Sequence, residues 1–277
     1  MILGRVFVTR EIHEDALELL RKEFSEVEVW ESHDPPTKDD LKEKASHSMA
    51  LITMLTDQVD GELFDSAPLL KVVANVAVGY DNFDVGEATR RRIMLTNTPD
   101  VLTEATADLT FGLLLSTARR INEAANAAAD GRWGPWHPKA WLGYDVHGSQ
   151  IGIIGLGRIG QAIARRAHGF GMKLLYHSRN RRKDLESSLG LIYVLELKHL
   201  LNAADFVTLH LPLTVETRHF IGKPELEEMK SSGILINSSR GDIVDQDALT
   251  EAIRNGVIAG VGLDVTSPEP LLQTNPL

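Results

Sequence analysis

Gly155, Gly157 and Gly160, spaced Gly-x-Gly-x-x-Gly, have the residue type and interval needed to receive a pyrophosphate. They follow the apolar run Ile151–Ile154 and lead into the helix-forming Gln161-Ala-Ile-Ala-Arg-Arg166. That strand–turn–helix setting turns a weak glycine pattern into a dinucleotide-binding expectation. Gly155 allows the tight turn, Gly157 lets backbone approach the phosphates, and Gly160 lets the helix lie close to the sheet. The N–H groups of the helix start, at Arg158 and Ile159, then face the phosphates. A glycine-rich turn without a ligand is the competing reading.

Which dinucleotide is bound depends on the residue about 20 positions further on, where an acid usually takes the ribose 2′-OH. Here the second strand closes on His177-Ser178-Arg179-Asn180-Arg181-Arg182, with no acid. A small hydroxyl followed by guanidinium groups suits a 2′-phosphate, because the planar fork donates two parallel hydrogen bonds. NADP(H) is therefore expected, held by Ser178, Arg179, Asn180 and Arg182, with Arg179 the foremost. Arg181 and Arg182 read equally well as a solvated run of charge.

Three other turns could do chemistry. The segment Asn75–Asp84 leaves a strand through Val78 and Gly79, whose exposed backbone could cradle a carboxylate or simply turn. Arg240 follows the strand expected over Ile234–Ser238 and precedes Gly241, so its fork could take an anion or pair with a nearby Asp. Asp264 and Glu269 leave another strand into a proline-restrained loop, where a carboxylate could orient a base or serve the turn alone.

The elements that carry these turns alternate. Strands are expected at Arg5–Thr9, Val27–Trp30, Met49–Leu55, Val72–Val76 and Met94–Asn97, with helices near His13–Glu23 and Lys38–Ala45. One long helix is expected over Thr103–Ala129, then a Trp-, Pro- and Gly-rich loop to His147. A second series follows the glycine turn: strands at Lys173–His177, Phe206–Leu209, Ile234–Ser238 and Gly260–Val265, and helices near Glu225–Lys230 and Asp247–Asn255. Such alternation implies an α/β fold of two doubly wound parallel-sheet domains with a cleft between them. At 277 residues and 43% apolar content, two buried cores are affordable. A net charge of −10 argues against nucleic acid. The absence of cysteine removes disulfide and thiolate metal sites. No apolar run reaches the about 20 residues of a membrane span, and the start at Met1 lacks a signal-peptide layout, so a cytoplasmic protein is expected.

Together, Val78-Gly79-Tyr80-Asp81, the glycine turn, His210-Leu-Pro212-Leu-Thr214, Ser239-Arg240-Gly241 with Val244-Asp245, and Gly262-Leu-Asp264-Val with Glu269-Pro270 form an ordered set. Over essentially the whole chain it resembles the D-isomer-specific 2-hydroxyacid dehydrogenase family. Val101–Ala107 and Leu263–Pro270 are most similar to its glyoxylate reductase/hydroxypyruvate reductase branch. The resemblance implies a flavodoxin-like substrate domain over residues 1–100 and a Rossmann NADP(H) domain, with a dimerisation helix and loop, over 101–277. It implies NADPH-dependent reduction of glyoxylate to glycolate and hydroxypyruvate to D-glycerate, with NADH the weaker cofactor. Arg240 would bind the 2-oxo acid and polarise its carbonyl, and the Val78–Gly79 backbone would hold the carboxylate. Asp264 would stand beside the nicotinamide carboxamide and the substrate. Thr106, Pro212 and Ser238 would line the cofactor, and Glu269 would hydrogen-bond a catalytic histidine.

In the family that histidine follows Glu269, and none of the ten histidines here occupies its place. The expectation is thus a C-terminally incomplete member lacking both this proton donor and the segment that returns to the first domain. A homodimer is expected from Trp133, Trp136 and Trp141 beside the long helix. Two alternatives stay open: another D-2-hydroxyacid dehydrogenase, of the phosphoglycerate type for example, and a non-catalytic NADP(H)-binding sensor or corepressor.

Overall fold

Short Val-, Ile- and Leu-rich runs alternate with amphipathic ones, and most take the element their period dictates. The computed structural model describes residues 3–277. The chain divides into two units, Met1–Val101 and Leu102–Leu277.

In the first unit β1 (Leu3–Val8), α1 (Glu14–Glu23), β2 (Phe24–Val29), α2 (Lys38–Ser46), β3 (Ala50–Thr53), α3 (Gly61–Ser66), β4 (Val72–Asn75), α4 (Val85–Arg91) and β5 (Met94–Thr96) follow in order. The strands pair in parallel as β2-β1-β3-β4-β5, the flavodoxin-like order. Phe7, Leu51 and Val73 point from the sheet into a core with Leu41, Leu63 and Phe64. Two helices, α3 and α4, were not expected from sequence, because one or two turns show no period. Their start signals are Asp60 and Asp84, whose carboxylates accept from the amides of Leu63 and Glu87.

The second unit runs α5 (Thr103–Ala118), α6 (Ile121–Ala129), β6 (Gln150–Ile154), α7 (Arg158–Gly169), β7 (Lys173–His177), α8 (Lys183–Leu189), β8 (Ile192–Tyr193), α9 (Leu197–Ala203), β9 (Phe206–Leu209), α10 (Lys223–Glu227), β10 (Ile234–Asn237), α11 (Gln246–Arg254) and β11 (Gly260–Leu263). Its parallel sheet is ordered β11-β10-β9-β6-β7-β8. Counted within the unit from β6, this reads 3-2-1-4-5-6 from the other edge, the order of a Rossmann sheet. Both faces are buried, so alternate residues serve two cores. Ile151, Ile153, Leu174, Tyr176, Phe206, Ile234 and Ile236 enter one. Ile154, Leu175, Val207, Leu209 and Leu235 enter the other.

The single helix expected over Thr103–Ala129 is in fact two. Arg120, at φ 54°, turns left-handed between α5 and α6. The returning chain sets this break. The amide of Tyr144 donates to the Ala118 carbonyl at 2.8 Å. A Cβ on Gly143 would lie 2.2 Å from that same oxygen, so only glycine lets the chain lie there. α5 is fixed to α7 by Arg166, whose guanidinium donates to both Glu104 and Asp108.

Candidate active site

The glycine turn leaves β6 at the C-terminal edge of the second sheet, where its order reverses between β6 and β9. Gly155 has φ +93°, and a Cβ there would stand 2.5 Å from the His210 carbonyl oxygen. A Cβ on Gly160 would stand 2.2 Å from the Gly155 oxygen, so α7 presses directly on the turn. Gly157 differs. It is exposed, its φ of −73° suits any residue, and an added Cβ would meet nothing within 4 Å. It begins α7 with no side chain capping the helix amides. The protein thus has its own reasons for the first and third glycines and none for the second. An exposed glycine over uncapped helix amides fits the pyrophosphate of a dinucleotide.

Beyond β7 the arginines part company. Arg181 donates to both oxygens of Glu186 at 2.8 Å and packs over the Tyr193 ring. Those bonds, with that of the Tyr176 hydroxyl, hold the Glu186 carboxyl down at about 2. Arg182 is engaged by Asp184 at 2.9 and 3.1 Å, and only its backbone amide reaches inward, to the Tyr176 hydroxyl. The Ser178 hydroxyl donates to the Asn180 carbonyl at 2.7 Å. Arg179 is exposed, and no ion pair among the described residues engages it.

Asn237 organises the loops after β10 and β11, and sequence reasoning passed over it. It is 1% exposed. Its Nδ2 donates to the Arg240 carbonyl at 2.9 Å, and its Oδ1 accepts from the Ser239 amide and hydroxyl. Its own carbonyl accepts from the Asp264 amide at 3.0 Å. One buried amide therefore fixes the backbone on which Arg240 and Asp264 stand. The Arg240 Nη1 donates back to the Ser239 carbonyl at 2.8 Å. Gly241 lies against the next loop so closely that a Cβ would be 2.0 Å from the Thr266 oxygen. Asp242 then accepts from the Ser267 hydroxyl and from Arg218, and these hold its carboxyl below the usual range. The turns after β9, β10 and β11 interlock in this way. Asp264 and Glu269 are exposed on the last of them.

Thr106 and Ser238 come together through Thr110. The Thr110 hydroxyl donates to the Thr106 carbonyl at 2.7 Å and lies 2.6 Å from the Ser238 hydroxyl. Pro212 sits at the head of the β9 loop, its carbonyl accepting from Thr217 at 2.6 Å. The His210 Nε2 is 2.9 Å from the Thr208 hydroxyl, and burial pushes the imidazole down to about 4. The unfolded chain takes up that proton near 6.5 and the folded chain only near 4. Stability carried by neutral His210 is thus complete above pH 6.5 and falls as pH drops toward 4. Urea midpoints measured across that window are expected to fall more steeply for the native chain than for His210→Gln; parallel slopes would reject this.

In the first unit, Val78 and Gly79 follow β4 in a loop tied from below. Asn75, 1% exposed, donates to the Gly79 carbonyl at 2.9 Å and to Asn82 Oδ1 at 3.2 Å. Asn82 donates to the carbonyls of Met54 and Asp57. The Asn97 amide holds the Val78 carbonyl at 2.8 Å. With carbonyls held from below, a loop of this kind keeps a fixed shape. Among the described residues there is no His/Asp/Glu cluster able to hold a metal ion, and no helix is long and apolar enough to cross a membrane.

Residues 111–277 match the model of the D-isomer specific 2-hydroxyacid dehydrogenase, NAD binding domain. A glyoxylate reductase of Korarchaeum cryptofilum is 52% identical over 274 residues, 99% of this chain and 82% of that protein. A solved protein of Thermus thermophilus superposes with TM-score 0.91 at 46% identity, over 98% of this chain and 85% of the other. The NADPH-dependent glyoxylate/hydroxypyruvate reductase of Sinorhizobium meliloti, solved with NADP and malonate, superposes with TM-score 0.83 at 36% identity, over 98% and 82%.

Proposed function

The chain belongs to the D-isomer-specific 2-hydroxyacid dehydrogenase family, and from that premise we propose that it reduces glyoxylate and hydroxypyruvate with NADPH in preference to NADH. It is a dehydrogenase with a nicotinamide-binding domain. The finer reading is carried by one observation: of the three arginines past β7, Arg179 alone forms no ion pair among the described residues, and it stands where a 2′-phosphate would be met.

The residues take the following parts. The N–H groups of Arg158 and Ile159, with Gly157, face the pyrophosphate; Ser178, Arg179 and Asn180 face the 2′-phosphate. Arg182 shapes this loop, its amide donating to the Tyr176 hydroxyl and its guanidinium to Asp184. Thr106, Pro212, Ser238 and Asp264 line the cofactor, Asp264 by the carboxamide and the substrate. When held by these residues, a reduced nicotinamide would supply the hydride that the substrate carbonyl carbon takes up. Arg240 binds the 2-oxo acid and neutralises the charge that grows on its carbonyl oxygen. The Val78–Gly79 backbone holds the substrate carboxylate. Glu269 supports the family's acid/base histidine, whose place in the motif order follows it.

The test is NADPH oxidation, by a protein that carries this chain together with the family histidine after Glu269, with glyoxylate, hydroxypyruvate and 3-phosphohydroxypyruvate, repeated with NADH. The reading expects turnover of the first two, faster with NADPH. Cofactor binding without turnover of any of the three would favour a sensor, and preference for the phosphorylated acid a phosphoglycerate-type enzyme.

The second unit also carries a face suited to a second copy of the chain. Trp133 stacks on Trp141 with centroids 5.8 Å apart, Arg120 lies over Trp141, and Trp136 is 88% exposed. The loop encloses a concavity of about 620 Å³. Exposed tryptophan is a costly surface unless covered. A homodimer is expected by light scattering at micromolar concentration, and Trp136→Ser is expected to weaken it. A monomer at that concentration would reject it.

A further inference from the structure

The cofactor corner holds a residue that works against it. The strand order β9-β6-β7 places the loops after β7 and β9 on either side of the glycine turn, about 10 Å apart at two strand spacings. Arg179 stands on the first loop. On the second stands Glu216, in a locked turn. The Thr214 hydroxyl donates to Glu216 Oε2 at 2.7 Å, and the Thr214 amide donates to the Thr217 hydroxyl at 2.8 Å. The Thr217 hydroxyl in turn donates to the Pro212 carbonyl at 2.6 Å. Arg218 and the His219 amide pin the end of the loop to Asp242. Glu216 is therefore a carboxylate held in place and not a free tail of the surface.

The Arg179 charge reaches it. It is among the influences that hold the Glu216 carboxyl below the usual range, after the Thr214 hydroxyl and the loop backbone. No ion pair among the described residues closes the space between them, in contrast to Arg181 with Glu186 and Arg182 with Asp184. A 2′-phosphate received by Arg179 would meet the field of the Glu216 carboxylate on the neighbouring loop.

We propose that Glu216 is a specificity-determining residue, whose carboxylate opposes the 2′-phosphate at Arg179 and narrows the discrimination between NADPH and NADH. The inference rests on Arg179 receiving that phosphate. It explains why an arginine corner would still admit NADH: Glu216 subtracts from the phosphate's gain and leaves a bare ribose unaffected. Like charges at this separation, partly in water, change affinity by a modest factor that salt reduces.

The test is the Kd of NADPH and of NADH, by quenching of tryptophan fluorescence, for the native chain, Glu216→Gln, Glu216→Lys and Arg179→Gln, at low ionic strength and in 0.5 M salt. Glu216 is exposed, so these variants keep the fold. Glu216→Gln is expected to tighten NADPH by about three- to tenfold and to leave NADH within about twofold. Glu216→Lys should go further in the same direction, and salt should shrink both gains. Equal changes for both cofactors, or gains that salt leaves intact, would overturn the role of charge. If Arg179→Gln abolishes the NADPH preference while Glu216→Gln leaves it unchanged, this inference fails and the NADPH reading stands. If the native chain binds both cofactors equally and Arg179→Gln alters neither, both fail together.

Discussion

Arg240→Met is expected to lower kcat for glyoxylate by about 10²- to 10³-fold, the usual cost of removing a donor aimed at a developing oxyanion. The backbone of this arginine is fixed by a buried amide, Asn237, and Nη1 is turned to the Ser239 carbonyl. A guanidinium so anchored needs little rearrangement as charge builds. Arg240→Lys should fall between, since the charge survives and the planar fork does not. NADPH affinity, measured separately, should stay within about twofold, because the glycine turn is untouched. A variant with raised KM and intact kcat would reduce Arg240 to a carboxylate holder.

Gly157→Val is expected to weaken NADPH binding by about 100-fold or more while lowering the thermal midpoint of the cofactor-free protein by no more than the loss of a glycine at the helix N-cap. An added Cβ there meets no protein atom within 4 Å, so the fold has no objection to it. The objection comes from the pyrophosphate, whose approach requires bare backbone. Gly160→Ala is the counterpart. Its Cβ would lie 2.2 Å from the Gly155 carbonyl oxygen, and the overpacking should cost about 1–3 kcal/mol before any cofactor is added. Calorimetry with and without NADPH separates the two. Equal destabilisation of both cofactor-free variants would contradict the division between glycines that serve the chain and one that serves a ligand.

Much of the architecture was legible because both sheets are parallel and buried. Runs such as Ile151–Ile154 and Ile234–Ile236 carry no polar side chain, and such runs announce a strand whatever surrounds them. The strand–turn–helix at Gly155–Gly160 is local, so its context could be read from the same 16 residues. What stayed hidden depends on partners distant in sequence. The break at Arg120 has no proline or glycine beside it. Its cause is Gly143, which lets Tyr144 take the Ala118 carbonyl. The three arginines after β7 look alike in sequence, and Asp184 and Glu186 on α8 distinguish them. Asn75 and Asn237 are a further case. An asparagine at a strand end reads as turn chemistry, and nothing in the sequence shows that its amide is buried and holds up the next loop.

The interlocked turns after β9, β10 and β11 also limit how this scaffold can be altered. Gly241 touches the Thr266 carbonyl with no room for a methyl group, while Asp242 bridges Ser267 to Arg218. A graft that replaces residues 264–270 alone would bring a new backbone path against an unchanged Gly241. One that replaces 240–245 alone would strand Ser267 and Arg218. These segments behave as one cassette: a new specificity calls for exchanging all three together or for changing side chains on the existing frame.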